Sequence, residues 1–373
     1  MLTAESVKAH ALALGFDVCG IAPAAALPEL AVLPQWLERG YAGEMIYLHK
    51  SADARSDIGR VLPSARSVIV TGTVYNTDER LESSAEGAGQ KADGTRPTTE
   101  RTRASDAVRV ARYARGDDYH LVLADRLDAL VAWMRREHDG PFDAAIFVDK
   151  HHVQERVYAR HAGVGWIGKN TCVINPALGS WLLLSGVAVS APLAVDTPAL
   201  DQCGACTQCI DACPTGALVD AHVIDATKCT AYLTIEKDGP IPESQRPWVG
   251  NHLFGCDICQ DVCPWNLSAP ETTDPVWRSA HRRDGVRASA LWQHADTDLH
   301  LVVRGSAMTY LSLSGLRRNL ALVIGNSGDP SLAAILDRPG RGIRNAAHSA
   351  ETPVVVDAVA WAKSRLLTPN PDP

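Results

Sequence analysis

The residues best suited to chemistry in this 373-residue chain are its cysteines, ten in all. Cys203, Cys206, Cys209 and Cys213, followed by Pro214, read C-x2-C-x2-C-x3-C-P, the ferredoxin-type run that holds [4Fe–4S] clusters. Cys256, Cys259 and Cys263 with Pro264 repeat its last three members, but Leu253 stands where the first would fall. Cys229 lies upstream and can supply the missing thiolate. In such paired runs the fourth cysteine ligates the other cluster. Cluster one is therefore expected on Cys203, Cys206, Cys209 and Cys263, and cluster two on Cys213, Cys229, Cys256 and Cys259. Structural zinc also uses C-x2-C pairs. It has no need of the three-residue gap plus proline, which occurs twice here. Cys19 and Cys172 lie outside the runs among small and apolar neighbours and read as buried structural thiols.

The elements that must position these ligands follow from periodicity. Helical spacing is expected over 6–14, 119–137 and 153–162, and strands over 15–22, 65–74, 144–148 and 181–189. Their alternation predicts an α/β domain over 1–195. Residues 82–106 are polar and aperiodic, and a mobile surface loop is expected there. The cysteine runs define a ferredoxin-like domain over 196–270. Helical patterns over 316–324, 330–336 and 357–366, joined by short polar turns, suggest a helical-repeat tail over 271–373.

Composition sets the broad class. Hydrophobic residues at 46% and charged residues at 21% are ordinary for a globular protein that folds without disulfides. A net charge of −7 gives no global sign of a nucleic-acid binder, although a local basic stripe can still do that work. Residues 1–30 lack a basic n-region, Asp17 breaks their apolar stretch, and no twin-arginine pair occurs near the start. The apolar run around 181–195 is interrupted by Ser185, Gly186, Ser190 and Pro192. A cytoplasmic protein with no membrane span is expected, where clustered cysteines stay reduced and bind metal.

With the cluster motif in place, the chain resembles the epoxyqueuosine reductases, cobalamin-dependent enzymes of tRNA queuosine synthesis. The resemblance is carried in order by GFDVCGIAP (15–23), ARYARGDDYH (111–120), GWIGKNT (165–171), GSW (179–181), YLTIE (232–236), GCDICQDVCPWN (255–266), Arg318 with Asn319, and GNSGDP (325–330). The ferredoxin run alone is promiscuous, whereas this ordered combination is specific. It implies a cobalamin-binding α/β domain, a ferredoxin-like two-cluster domain and a C-terminal α-helical, HEAT-like tail. It also implies removal of the epoxide oxygen of epoxyqueuosine at the tRNA wobble position.

The family's catalytic aspartate follows a strand, and Asp149 after AAIFV matches it. Burial that raises its pKa would suit it as a proton donor, whereas an isolated strand-end aspartate usually caps the next helix. The chain departs from the family in following Asp149 with Lys150, His151 and His152 before Glu155 and Arg156 resume the match. Adjacent histidines in a polar turn read as solvated or loosely hydrogen-bonded, not as metal ligands. By resemblance, Arg55, Val173, Leu184, Ala231 and Asp257 fall at or near corrin-contacting positions, with Ala231 where serine is usual. The base-off signature Asp-x-His-x-x-Gly is absent; Asp118 and His120 approach it, but Leu123 replaces the glycine. Glycines 163, 165 and 168 do not follow a strand as a dinucleotide fingerprint requires.

For the tRNA anticodon arm, Arg304, Arg317, Arg318, Arg338, Arg341 and Arg344 offer phosphate contacts. Scattered arginines on a solvated helix face are the bland alternative. The resemblance also calls for an electron donor such as a flavodoxin or ferredoxin, and a monomer is expected. Two other functions compete: a cytosolic relative of the cobalamin-dependent reductive dehalogenases, and a non-catalytic iron–sulfur electron carrier. A bare two-cluster carrier would leave the large first domain unexplained.

Overall fold

The computed structural model describes residues 2–77, 106–278, 285–340 and 349–368. The expected loop over 82–106 lies outside these residues apart from Asp106, as do Arg341 and Arg344. A four-stranded sheet organises the first half, in the order Val18–Pro23, Ser67–Val74, Leu182–Val189, Ala144–Phe147. All its pairings are antiparallel: Ile21 opposes Ile69, Ile69 opposes Val187, and Val187 opposes Ile146. The alternation of helices and strands in the sequence is real, but it does not build parallel βαβ crossovers. The α/β expectation holds as a mixture of helix and strand around an antiparallel sheet.

Strand Ser67–Val74 is buried along its full length because both sheet faces are covered. Ile69 joins one apolar cluster with Leu123, Leu127 and Leu130 of helix Tyr119–Glu137. Val68 and Val70 join a second, with Val157, Tyr158 and Ala159 of helix Glu155–His161. Gly186 permits close packing within the sheet, since a Cβ there would meet the Ile69 carbonyl oxygen at 2.3 Å and the Phe147 ring at 2.4 Å.

Helix Tyr119–Glu137 forms where expected because its leucines recur at four-residue spacing and Asp118 caps it, accepting a hydrogen bond from the His120 amide. That cap places Tyr119 and His120 on the helix's first turn.

Toward the C-terminus, helix Leu313–Asn326 packs along helix Pro353–Leu367. Gly325 allows their approach: a Cβ there would lie 2.8 Å from Ala362 Cα. Pro330–Asp337, expected as an ordinary helical stretch, is a 3-10 helix capped by Asp329. These helices share one apolar cluster with the sheet, from Ala4 to Leu366. No helix among the described residues is long and apolar enough to cross a membrane.

Candidate active site

Cys203, Cys206, Cys209 and Cys263 line one cavity of about 260 Å3, together with Lys169, Asn170, Ile174, Pro264 and Trp265. The Lys169 ammonium closes the loop over this cavity, donating to the carbonyls of Gly204 at 2.7 Å and Cys206 at 3.0 Å. Cys213, Cys229 and Cys256 lie close enough to perturb one another, and Cys259 joins them beside Cys256 and Cys229. The spacing thus converts into two separate thiol quartets, with Cys263 and Cys213 exchanged between runs. Burial pushes Cys256 up to about 12, and it also raises Cys209, Cys229 and Cys263. A thiol held up in this way needs a strong cation to become a ligand, which an iron cluster supplies. Among the described residues no three His, Cys, Asp or Glu side chains gather tightly enough for a single metal ion.

Cys172 corrects one expectation. Its thiol lies beside that of Cys259, close enough for each to shift the other's titration, so it is a ninth sulfur near the second group of cysteines. Asn170 holds the turn, accepting from the Cys172 amide at 3.2 Å and donating to the Cys259 carbonyl at 3.4 Å. Cys19 remains a packing thiol, pushed up to about 12 by burial.

Asp149 follows strand Ala144–Phe147 with φ of +52°, a left-handed conformation that a non-glycine residue adopts at some cost and that recurs at functional sites. It does not cap the next helix, whose N-cap is Gln154. Its Oδ2 accepts from Tyr119 Oη at 2.7 Å and lies 3.4 Å from His120 Nε2. His120 Nδ1 stands 2.7 Å from Asp118 Oδ1, completing a row Asp118–His120–Asp149. A cavity of about 330 Å3 opens there, lined by Asp118, His120, Lys150, Ala307, Thr309 and Tyr310. The Asp149 side chain is 61% exposed and meets that cavity through its contact with His120.

The condition that burial raise its pKa is not met. Burial raises the Asp149 carboxyl, but hydrogen bonds from His120 and Tyr119 and the charges of His120 and Arg156 outweigh it, so the pKa is lowered. The carboxyl that rises is Glu155, pushed up to about 8 by burial and by the charge of Asp149, whose backbone amide it accepts at 2.5 Å. His120 also titrates upward: burial pulls it down, but Asp118 and Asp149 more than compensate.

The cleft holds further groups that the sequence reading missed. Tyr310 Oη donates to Glu236 Oε2 at 3.2 Å, and burial raises the Glu236 carboxyl. Burial together with Asp149, Asp257 and Glu236 raises the partly buried Tyr113. Its ring packs edge-on against Tyr119 at 5.9 Å, and the preceding residue, Arg112, donates its amide to Asp257. Only the motif strings ARYARGDDYH and YLTIE hinted at Tyr113, His120 and Glu236.

The five corrin-contact positions separate. Arg55 donates to the Val153 carbonyl at 3.0 Å and acts on Tyr47 and Glu155. Asp257 is buried and accepts from the Arg112 amide at 2.8 Å, and burial pushes its pKa up to about 6. Val173 lies within the second apolar cluster and Leu184 packs against it. The amide of Ala231 helps to offset the burial that raises Cys229. His151 Nδ1 accepts from the Val148 amide at 3.1 Å, and His152 is exposed. Arg317 and Arg318 cannot contact a polyanion, because both are buried at 0% and 1% exposure. Arg317 is bound to Asp296 and to the carbonyls of Trp292 and His294, while Arg304 and Arg338 are exposed.

Residues 202–266 match the 4Fe-4S double cluster binding domain, and residues 55–150 match the model described as "Epoxyqueuosine reductase QueG, DUF1730". An epoxyqueuosine reductase of Xanthomonas campestris is 37% identical over 335 residues, covering 90% of each chain. One from Pseudomonas aeruginosa is 35% identical, covering 97% of this chain and 94% of that one. A crystal structure of epoxyqueuosine reductase with an epoxyqueuosine-modified tRNA-Tyr stem loop superimposes with a TM-score of 0.82 at 26% identity, covering 97% of this chain and 89% of that chain. The Streptococcus thermophilus enzyme shares the fold, with a TM-score of 0.79 at 22% identity over 98% of this chain and 91% of that one. The chain belongs to the epoxyqueuosine reductase family.

Proposed function

We propose that this oxidoreductase reduces epoxyqueuosine to queuosine at the wobble position of tRNA, with two [4Fe–4S] clusters, cobalamin and Asp149 as proton donor. The observation that carries the reading is the row Asp118–His120–Asp149, with Tyr119 donating to Asp149, beside a cavity that Asp118 and His120 line. The domains are 1–195 for cobalamin and catalysis, 196–270 for the clusters and 271–373 for a HEAT-like helical tail against the anticodon arm. Arg304 and Arg338 are the tail's exposed candidates for phosphate. An electron donor such as a flavodoxin or ferredoxin reduces the clusters.

The residues fit cobalamin in their chemistry. A corrin rimmed with amides needs fixed acceptors and donors, and the cleft side offers the buried Asp257 carboxyl and the Arg55 guanidinium. These two residues would hold it, with Ala231, Val173 and Leu184 shaping the wall behind. When bound, cobalamin supplies low-potential electrons to the epoxide carbon. The protein must do the rest: orient the nucleoside, exclude water and deliver protons. A lowered pKa does not disqualify Asp149. Its carboxylate can take up a proton once substrate covers the cleft and removes solvent from it, the condition under which burial dominates.

The test is conversion of epoxyqueuosine-containing tRNA stem loop by anaerobically reconstituted protein with cobalamin and a strong reductant. Queuosine formation that is lost in Asp149→Asn supports the reading; equal rates for both proteins overturn the role of Asp149.

A further inference from the structure

Removing an epoxide oxygen as water consumes two protons and two electrons: both C–O bonds break, the alkene forms, and the oxygen leaves as H2O. Asp149 carries one carboxyl and can hold one proton at a time. Tyr119 donates its hydroxyl to Asp149, and with its pKa raised far beyond neutrality it is a poor acid. A second proton carrier is therefore required. The geometry supplies it on the same helix turn.

We propose that His120 is that carrier, returning a proton from Nε2 to Asp149 while Asp118 holds Nδ1. This inference rests on the functional reading above. The row is continuous, with 2.7 Å from Asp118 Oδ1 to Nδ1 and 3.4 Å from Nε2 to Asp149 Oδ2. The ring is fixed by stacking on Tyr119, with centroids 4.0 Å apart. The backbone fixes its other end, because Asp118 caps the helix through the His120 amide. His120 also lines the cleft, so it can regain protons from water there.

The charged groups facing the ring favour this role. Asp118 approaches from its own turn and Asp149 from the strand end, and both favour imidazolium. Lys150 from the loop after that strand opposes them, but the carboxylates prevail. Tyr310 is the remaining titratable group lining the cavity. The imidazolium is thus favoured over its free counterpart and is lost as pH rises through the elevated His120 pKa. His120 acts through Asp149 and is a positioning and relay residue, whereas Asp149 is the catalytic one.

The test is the single-turnover rate of queuosine formation on a modified stem loop, measured from about pH 5.5 to 9. Wild-type holoenzyme, His120→Gln and His120→Ala are compared, the last with and without added imidazole. The wild-type rate is expected to fall on the alkaline side. His120→Gln should be slower by about 10²-fold with that limb flattened, at unchanged stem-loop affinity. Imidazole should restore part of the His120→Ala rate, which a purely structural histidine would not allow. A His120→Gln profile that parallels wild type, or an Ala variant indifferent to imidazole, overturns the relay while leaving the function intact. A wild-type protein with both clusters loaded that converts nothing overturns the functional reading and the relay with it.

Discussion

Replacing Arg318 with alanine separates a structural role from the tRNA contact that the sequence suggested. The side chain is 1% exposed, and its guanidinium donates to the carbonyls of Leu233 at 3.0 Å, Gly239 at 2.8 Å and Lys237. Asn319 extends the clamp to Thr234 at 2.8 Å and Leu253 at 3.0 Å. Helix Leu313–Asn326 thus grips the chain that carries Glu236 and runs on from Cys229. Each charge-assisted bond is worth about 1.5–3 kcal/mol gross, and Arg318→Ala leaves three carbonyls short of a donor. Relief from burying the cation offsets part of this, and the net loss should be about 3–5 kcal/mol. At roughly 2 °C per kcal/mol for a chain of this size, anaerobic thermal scans at one scan rate should fall by about 6–10 °C. Stem-loop affinity at low temperature should keep its wild-type salt dependence. An unshifted scan combined with a shallower salt slope would refute the clamp and return Arg318 to the phosphate backbone.

Two further substitutions probe the site. Cys172→Ala removes the thiol beside Cys259; if that thiol donates to a cluster sulfur, a bond worth ~1 kcal/mol, an EPR-monitored redox titration should show one cluster shifted down by ~40 mV. Glu155 is raised in the folded protein, so its contribution to stability is complete below about 4.5 and lost as pH rises toward about 8. Glu155→Gln should therefore flatten the decline in stability between those values, and denaturation midpoints measured across that window check it.

The double-cluster motif was legible because spacing along a chain and a repeated proline are properties of sequence. The long helix over 119–137 was legible for the same kind of reason, since Leu123, Leu127 and Leu130 mark its buried face. Sheet direction was not, because short buried strands look alike whether their neighbours run parallel or antiparallel. The lowered pKa of Asp149 was not legible, because His120 and Tyr119 come from an element thirty residues away. Arg317 and Arg318 were misread for a related reason: a charge pattern does not reveal whether backbone carbonyls wait inside to receive it. Cys172 looked inert until folding brought it to Cys259, which no local spacing encodes.

The central claim is tested most directly by nucleoside mass spectrometry on epoxyqueuosine-containing tRNA. The tRNA is incubated anaerobically with cluster-loaded protein, cobalamin and a strong reductant, beside an Asp149→Ala variant that binds the same cofactors. Queuosine from the wild type, with at least about a 10²-fold lower yield rate from the variant, is the predicted result. Undiminished conversion by Asp149→Ala, or none by fully loaded wild type, would contradict it.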